Sequence, residues 1–358
     1  MLLFSVYCRK NIWGDASVKL DHMDDNDLSK PFKIQFVGEP AVDHGGPSRE
    51  FFSLINQHMH GSMLCGSTFR HNVVSLQKYE FMKCGQLAAK GLLQGSSGPK
   101  CFGKTVTDYI LYGNLQCLNP TLEEVPPGEI KDSLQRLQSI QDAEEFKSEA
   151  SFNSDFRFSH GYTKPFVTIE DKDEFIKAIA LHAIIYTSLP ELNQFIDGLK
   201  TCGVLDLIRS NPEQFRVVFQ HGKVTLTADL LDDIFQPLFS PEGSNKRTKE
   251  ERLVFNFSQM LENVEKGKVV EEMSESQVTI NLSHILMFAT GASEIPAIGL
   301  IPRPSIRFDH NTHEERKLSV STCANILTLP VSEKMTSLEI FQKEFMFCML
   351  NSPGFGNV

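Results

Sequence analysis

Apolar side chains recur at the spacing of an α-helix in several separate stretches of this chain, and short strand-like runs lie between them. The strongest example is KDEFIKAIALHAIIY (172–186), whose apolar residues fall on one helical face. Similar spacing predicts helices over 79–93, 129–140, 189–203, 252–265 and 335–350, and in the later part of 43–60, after the turn at 45–47. KIQF (33–36) and SIRF (305–308) alternate polar and apolar residues, as strands do. Many helices with a few short strands predict an α+β fold.

A change in composition predicts where this chain divides. SPEGSNKRTKEE (240–251) combines turn-forming residues with dense charge, which is typical of a surface linker. We therefore predict a large, mainly helical N-terminal lobe (1–240), a hinge (241–251) and a smaller α/β C-terminal lobe (252–358). Within the first lobe, residues 94–165 are rich in Pro, Gly and Ser, and they predict a loop-rich subdomain with one or two short helices.

Length and charge exclude several classes of protein. The 358 residues are enough for a sizeable core, and the net charge of −10 argues against a nucleic-acid partner, whose phosphates favour clustered Lys and Arg. The opening MLLFSVYC is too short for the apolar core of a signal peptide, and we predict no membrane partner. The eight cysteines form no C-x-x-C pair. This pattern favours reduced thiols in a cytoplasmic or nuclear protein and predicts no metal site.

One cysteine lies in an unusual local setting. In STCANILTLP (321–330), Cys323 follows small polar residues and lies at the edge of an apolar run instead of inside it. Most isolated cysteines are small buried side chains, so a packed thiol and a presented, reactive thiol are both open from this stretch alone. Cys348, by contrast, lies on the apolar face of the last predicted helix, and we expect it in the core.

Three motifs together resemble one protein family. They are FVGEPAVDHGGPSREFF (36–52), ILMFATGASEIPAIGL (285–300), and STCANILTLP followed by a helix and GFG (354–356). In this order and at these separations, they resemble the HECT-type ubiquitin ligase catalytic domain, and the likeness covers essentially the whole chain. Within the family, the chain is similar to the divergent HECT-like domain of the G2/M-phase-specific ubiquitin ligase group.

The resemblance implies a function for Cys323. It implies that this thiol accepts ubiquitin as a thioester from a ubiquitin-conjugating enzyme and passes it to a lysine of a protein substrate. No cofactor is expected, because exchange of one thioester for another is nearly isoenergetic and a thiolate is a strong nucleophile near neutral pH. Small neighbours such as Thr322 would keep the approach to the sulfur open. The resemblance further implies a bilobal fold, a reduced conjugating-enzyme-binding subdomain at about 105–165, and a tail aromatic, Phe355, that docks on the large lobe.

Other polar residues near Cys323 leave alternatives open. His310 and His313 precede it by about a dozen residues and raise the possibility of a cysteine hydrolase, although a solvated loop is the more ordinary interpretation. Asp309 is a candidate to help deprotonate the incoming lysine. Ser321 and Ala324 depart from the family pattern of a histidine two residues before the cysteine and an aromatic after it. These departures keep open a catalytically weak or inactive module that binds ubiquitin or substrate.

The remaining polar motifs predict structural roles. We expect Gly45 and Gly46 of the DHGGPSRE turn to supply backbone conformations that other residues resist. The carboxylates of Glu39, Asp43 and Glu50 are expected to hold turn amides or to pair with Arg49. In the same segment, Ser48 is a candidate helix cap. Near the end of the chain, Thr336 and Glu339 match a capping box. His182 is expected to be a satisfied core or interface residue.

Overall fold

The computed structural model describes most of the chain. The described residues are 3–39, 43–152, 154–164, 166–222, 225–267, 270–273, 276–311 and 317–352. Within them the chain is mostly helical with small sheets, and the predicted α+β class is confirmed.

Seventeen α-helices lie in the described residues. Their bounds are α1 Ile12–Leu20, α2 Asp25–Ser29, α3 Gly46–His58, α4 Val73–Gln77, α5 Glu80–Leu93, α6 Lys104–Tyr112, α7 Glu129–Ser139, α8 Ala143–Phe152, α9 Ser154–Ser159, α10 Lys172–Ile184, α11 Leu189–Leu199, α12 Val204–Ser210, α13 Pro212–Phe219, α14 Ala228–Ile234, α15 Asn245–Glu265, α16 Leu282–Thr290 and α17 Leu338–Leu350. Short 3-10 turns join several of them, and a π-helical turn follows α3.

Ten strands in the same described ranges form four small sheets. Their bounds are β1 Leu3–Tyr7, β2 Phe32–Phe36, β3 Leu64–Cys65, β4 Thr68–Phe69, β5 Gln236–Pro237, β6 Val270–Met273, β7 Ser276–Thr279, β8 Ser305–Asp309, β9 Ser319–Ser321 and β10 Ile326–Pro330. The pairs β1–β2, β3–β4 and β6–β7 are separate, and the fourth sheet has the order β5-β8-β10-β9. In that sheet β8 is parallel to both β5 and β10, whereas β9 is antiparallel to β10.

The chain forms two compact units, and the four-stranded sheet belongs to the first. This unit takes its residues from 1–55, 91–97 and 225–358. Along β10, Leu327 and Leu329 are fully buried and alternate with half-exposed residues, as expected for a sheet that packs one face on a core. Apolar side chains of α14 to α17 complete that core, with Phe257 of α15 against Phe345 of α17.

The parallel pair β1–β2 lies in the same unit. Its buried side chains include Tyr7 and Ile34, and the ring of Tyr7 lies 4.5 Å from that of Phe51 on α3. This packing fixes the start of α3. Because α3 begins within the DHGGPSRE segment, the packing also positions that segment.

The second unit comprises residues 56–90 and 98–224. An aromatic cluster forms part of its core, with the ring of Phe69 between 5.0 and 5.4 Å from the rings of Phe81, Phe102 and Phe195. Helices α5 and α11 cross very closely at Gly85. A Cβ atom added to Gly85 would lie only 2.1 Å from the Phe195 carbonyl oxygen. Bulkier residues at this crossing would separate the two helices.

Most predicted helices and strands are confirmed within a few residues. The apolar stripes over 79–93, 129–140, 172–186 and 335–350 correspond to α5, α7, α10 and α17. The strands predicted at KIQF and SIRF are β2 and β8. The region 94–165 is more helical than predicted, since α6 to α9 occupy much of it.

The predicted linker is partly helical. Helix α15 begins at Asn245 instead of near 252, and the side chain of Ser244 accepts a hydrogen bond from the Arg247 amide at its start. An Arg247–Glu251 pair one turn apart adds to the first turns of the helix. Apart from the buried Glu250, the charged residues of 245–251 therefore lie on the solvent-facing side of a helix. The division into lobes at 240, with a hinge at 241–251, stays a prediction.

Two predicted helix caps are wrong. Ser48 lies inside α3, and its hydroxyl donates to the carboxylate of Asp43, which lies ahead of the helix. At α17 the residue before the helix is Ser337, and no side chain caps it. The Thr336 hydroxyl donates instead to the Glu333 carbonyl at 2.6 Å, so the predicted capping box is absent.

One described stretch is apolar and long enough to attract attention as a membrane span. Residues 169–199 are long and apolar enough, by length and mean hydropathy, to cross a membrane. However, 56% of the most apolar part of this stretch is buried inside the structure. The stretch is divided between α10 and α11 with 3-10 turns at Ile169–Asp171 and Tyr186–Ser188. Core helices give the same signal, so it is weak evidence, and the exclusion of a membrane partner stays a prediction.

Candidate active site

Cys323 lies in the tight connection between β9 and β10. The last pair of the antiparallel ladder joins Ser321 to Ile326, so residues 322–325 form the loop of a β-hairpin. Inside the loop, the Ala324 amide donates to the Ser321 carbonyl at 3.1 Å and the Asn325 amide to the Thr322 carbonyl at 3.3 Å. Cys323 is therefore held at the tip of a short turn and is half-buried, neither packed in the core nor fully exposed.

Asn325 fixes the end of this loop. Its φ of 54° lies in the left-handed region, which Asn tolerates better than most residues, and its side chain is fully buried. The side-chain amide donates to the Pro302 carbonyl at 2.6 Å, and the Asn325 carbonyl accepts from the Ser305 amide at 2.9 Å. The loop is thus tied to the start of β8 by both the main chain and the side chain of Asn325.

Arg49 on α3 ties the same loop from another direction. Its Nη2 group donates to the Thr322 carbonyl and, at 2.8 Å, to the side-chain oxygen of Asn325. Its Nε group donates to the Thr290 carbonyl at 2.9 Å, at the end of α16. Burial lowers the pKa of Arg49, while its electrostatic interactions with Cys323 and Asp43 act in the opposite direction. The first turns of α3 and the 322–325 loop, which are far apart in sequence, therefore meet at the loop that carries Cys323.

Gly46 explains why the DHGGPSRE turn approaches the loop so closely. A Cβ atom at this position would lie 2.3 Å from the Thr322 hydroxyl oxygen and 3.0 Å from the Cys323 amide nitrogen. Only a residue without a side chain leaves room for this contact. Gly46 thus brings the first turn of α3 directly against the cysteine loop.

Asp43 anchors that first turn. Its buried carboxylate accepts from the Ile34 amide at 2.9 Å, the Gly45 amide at 2.8 Å and the Ser48 hydroxyl. The expectation that carboxylates of this segment hold turn amides is confirmed for Asp43.

The expected pairing of the neighbouring carboxylates with Arg49 is wrong. Glu39 and Glu50 both form ion pairs with Arg9 instead, which leaves the Arg49 guanidinium directed at the cysteine loop.

The structure separates Asp309 from the thiol. Residue 305 of β8 pairs with 326 of β10 beside the loop, whereas Asp309 pairs with Pro330 at the far end of the strand. Four residues of strand span about 13 Å. The Asp309 carboxylate accepts from the Asn311 amide at 3.0 Å. This arrangement does not bring Asp309 beside Cys323.

His310 has a partner on α15. Its Nε2 atom lies 2.5 Å from a carboxylate oxygen of Glu250, which is buried and also accepts from the amide and hydroxyl of Ser240. The geometry therefore connects His310 to the α15 side of the core and does not support a Cys323–His310 pair. His313 and Phe355 lie outside the described residues, so their predicted roles stay predictions.

Thr322 takes part in the site mainly through its main chain. Its carbonyl accepts from Arg49, and its half-buried side chain lies against Gly46. Among the described residues, no cluster of His, Cys, Asp or Glu has the arrangement of a metal site. What the site offers chemically is a single half-buried cysteine on a loop with fixed ends.

Sequence reasoning missed Arg49 and Asn325 as parts of the site. They lie 276 residues apart, and no local periodicity connects them. A partial signal was present, since Arg49 lies in one of the recognised motifs and Asn directly before a strand is typical of a left-handed turn.

Comparison with known proteins gives the family of this chain. The model of the HECT domain, described as a ubiquitin-transferase domain, matches residues 46–358. This chain therefore belongs to the HECT-domain family, whose ligases work with ubiquitin, conjugating enzymes and protein substrates.

Curated relatives support the same family. A G2/M phase-specific E3 ubiquitin-protein ligase from Macaca fascicularis is 27% identical over 96% of this chain, and the match covers 46% of that relative. Another of that name, from Gallus gallus, is 27% identical over 74% of the chain and 34% of its own length. E3 ubiquitin-protein ligase UPL1 from Arabidopsis thaliana is 25% identical over 97% of the chain and 10% of its own length. The chain thus spans less than half of these relatives.

Proposed function

We propose that this chain is a ubiquitin-protein transferase that carries ubiquitin as a thioester on Cys323. The observation that supports this most directly is the place of Cys323, half-buried at the tip of the β9–β10 hairpin in a chain of the HECT family. A thiol in the core could not meet two protein partners one after the other. A thiol in a hairpin loop can reach solvent while the two ends of the loop stay fixed.

The proposed chemistry has two steps. The Cys323 thiolate attacks the carbonyl carbon of the ubiquitin thioester on a conjugating enzyme, a new carbon–sulfur bond forms, and the enzyme's own thiolate leaves. A neutral lysine amine of the substrate then attacks the carbonyl of the Cys323 thioester, an amide forms, the Cys323 thiolate leaves, and the amine proton passes to solvent or a base. Each step exchanges one acyl bond for another, and no cofactor enters.

The supporting roles follow the same proposal. Thr322 shapes the approach to the sulfur, and Phe355 docks the tail during transfer. Residues 105–165 receive the conjugating enzyme. Asp309 requires a rearrangement to help deprotonate the lysine, because in this structure it lies at the end of β8 that is away from the cysteine loop, where it pairs with Pro330.

The remaining parts of the proposal concern architecture and location. We propose two lobes joined near 241–251, with residues 241–244, ahead of α15, as the part of that hinge with no regular secondary structure. The scattered thiols support a cytoplasmic or nuclear location.

The test is a loading assay. The chain, a ubiquitin-activating enzyme, ATP, ubiquitin and a panel of conjugating enzymes should yield a ubiquitin adduct that thiol reductant removes. Cys323→Ala should abolish it, Cys323→Ser should give a reductant-resistant ester, and Cys117→Ala, at an exposed thiol elsewhere, should load normally. An adduct that survives in Cys323→Ala, or none with any conjugating enzyme, contradicts the proposal. Ubiquitin binding without an adduct would indicate a binding module instead.

A further inference from the structure

The Arg49 guanidinium bridges the end of α16 and the loop that carries Cys323. One N–H group reaches the Thr290 carbonyl at the end of α16, and another nitrogen donates to the Thr322 carbonyl and the Asn325 side chain. Thr322 and Asn325 are the first and last residues of the loop that carries Cys323. One side chain therefore holds both ends of the loop.

The position of Arg49 is itself well determined. Gly46 allows α3 to touch the loop, and Asp43 fixes the start of the helix by accepting from four donors, which are the amides of Ile34, Gly45 and Ser48 and the Ser48 hydroxyl. Arg49 lies one turn further along α3, and its amide donates to the Gly45 carbonyl at 3.0 Å. A group on a rigid helix can hold a loop in one conformation at little cost in side-chain order.

We propose that Arg49 is a positioning residue for Cys323, which it orients by fixing both ends of the 322–325 loop. This inference rests on the proposed function of Cys323 and adds a residue that acts on the thiol through the backbone. The planar guanidinium carries five N–H donors in a fixed geometry and so satisfies three separate acceptors. A lysine in the same place offers one compact ammonium and cannot span all three.

Asn325 is the acceptor residue of the same hydrogen-bonded arrangement. It accepts from Arg49 and donates to the Pro302 carbonyl, and its main chain adopts a left-handed conformation. Asn325→Gly keeps that conformation available and removes the side-chain hydrogen bonds to both Arg49 and the Pro302 carbonyl. It should therefore reproduce the effect of losing Arg49, and the double variant should be little worse than either single one.

The test uses Arg49→Ala, Arg49→Lys and Asn325→Gly, with Arg307→Ala as the matched control at an exposed arginine on β8. The first measurement is hydrogen exchange of the Ala324 and Asn325 amides, which needs no ubiquitin. The second is the rate of ubiquitin loading onto Cys323 at varied concentrations of the charged conjugating enzyme. Thermal unfolding of each variant identifies any general loss of folding.

In Arg49→Ala we expect both amides to exchange roughly tenfold faster and kcat for loading to fall roughly tenfold, the size of one lost charge-assisted hydrogen bond. KM should stay unchanged, because Arg49 acts on the thiol and not on the conjugating enzyme. Arg49→Lys should recover part of kcat, Asn325→Gly should match Arg49→Ala, and Arg307→Ala should behave as wild type.

Wild-type exchange and wild-type kcat in Arg49→Ala would overturn the inference. So would a fall in kcat that Arg307→Ala shares, since that would be a general effect of lost charge. If the wild-type chain forms no adduct, the proposed function fails, while the exchange measurement still decides whether Arg49 holds the loop.

Discussion

Gly291 lies directly against the main chain of Gly46, so closely that a Cβ atom on Gly291 would be 2.7 Å from the Gly46 carbonyl oxygen. Gly291 follows α16 and has a φ of 79°, in the left-handed region. Two glycines far apart in sequence thus let the end of α16 meet the first turn of α3. The contact fixes Arg49 and the Thr290 carbonyl at hydrogen-bond distance.

Gly291→Ala should be strongly destabilising. The left-handed conformation alone costs a non-glycine residue about 1 kcal/mol, and the clash with a main-chain oxygen adds a further 1–3 kcal/mol. Gly243→Ala is the matched control, because Gly243 has a φ of 78° with open space around it. Urea unfolding should show a markedly larger loss for Gly291→Ala. Equal losses would mean that the close contact with Gly46 contributes nothing.

Asp43→Ala should destabilise the start of α3. It removes a buried acceptor and leaves the Ile34 and Gly45 amides without it, which costs about 2–4 kcal/mol for two such groups. Asp24→Ala is the control, since Asp24 caps the short helix α2 from an exposed position and should cost about 1 kcal/mol. The measurement is again the free energy of unfolding in urea. A loss for Asp43→Ala no larger than that for Asp24→Ala would contradict the anchoring role.

Helix faces could be predicted from this sequence because burial along a helix repeats locally. The stripe in 172–186 corresponds to α10, whose buried residues include Phe175 and Ile179. The boundary of α15 could not be predicted, because its first turns carry charged residues on an exposed face, and such a composition is equally typical of a linker.

The site was only partly predictable for a related reason. The candidate cysteine and its loop lie in one stretch, so local sequence and family resemblance were sufficient to propose them. The Arg49–Asn325 bond depends on tertiary packing between residues 276 apart, and only coordinates reveal it. Asp309 and His310 were selected by nearness in sequence, but a parallel strand pair carries them to the opposite end of the sheet from the loop.

The buried carboxylate of Glu250 should make stability depend on pH. Burial acts to raise its pKa, but hydrogen bonds from Ser240 and His310 outweigh burial, and the pKa of Glu250 is lower than its ordinary value. A folded-state pKa below that of the unfolded chain stabilises the protein above the unfolded pKa of about 4.3. This stabilisation is lost as pH falls through the folded-state pKa.

Glu250→Gln should therefore lower the free energy of unfolding at pH 7 by about 1–3 kcal/mol, because the acceptor for Ser240 and His310 is weakened. The difference from wild type should shrink as pH falls below the unfolded pKa of about 4.3 and through the lower folded-state pKa of Glu250, where wild type loses the charge as well. Glu251→Gln, which removes only a surface pair with Arg247, should change stability by less than about 0.5 kcal/mol. A Glu250→Gln deficit that is the same at pH 7 and pH 3 would argue against the carboxylate as its source.

Cys84 should resist alkylation in the folded protein, unlike the thiols on the surface. Its side chain is 1% exposed and lies 3.3 Å from the Met63 sulfur, and burial raises the pKa of Cys84 well above the ordinary value for a thiol. The reactive thiolate is therefore suppressed and shielded, so reaction requires local opening of the structure. With iodoacetamide at pH 8, Cys84 should react on the order of a hundredfold more slowly than the exposed Cys117 and Cys202. Peptide mass spectrometry gives the rate at each cysteine, and in urea all three should react alike. Equal rates in the native chain would show that the packing around Cys84 opens freely, because no reagent of this size reaches a thiol in a closed core.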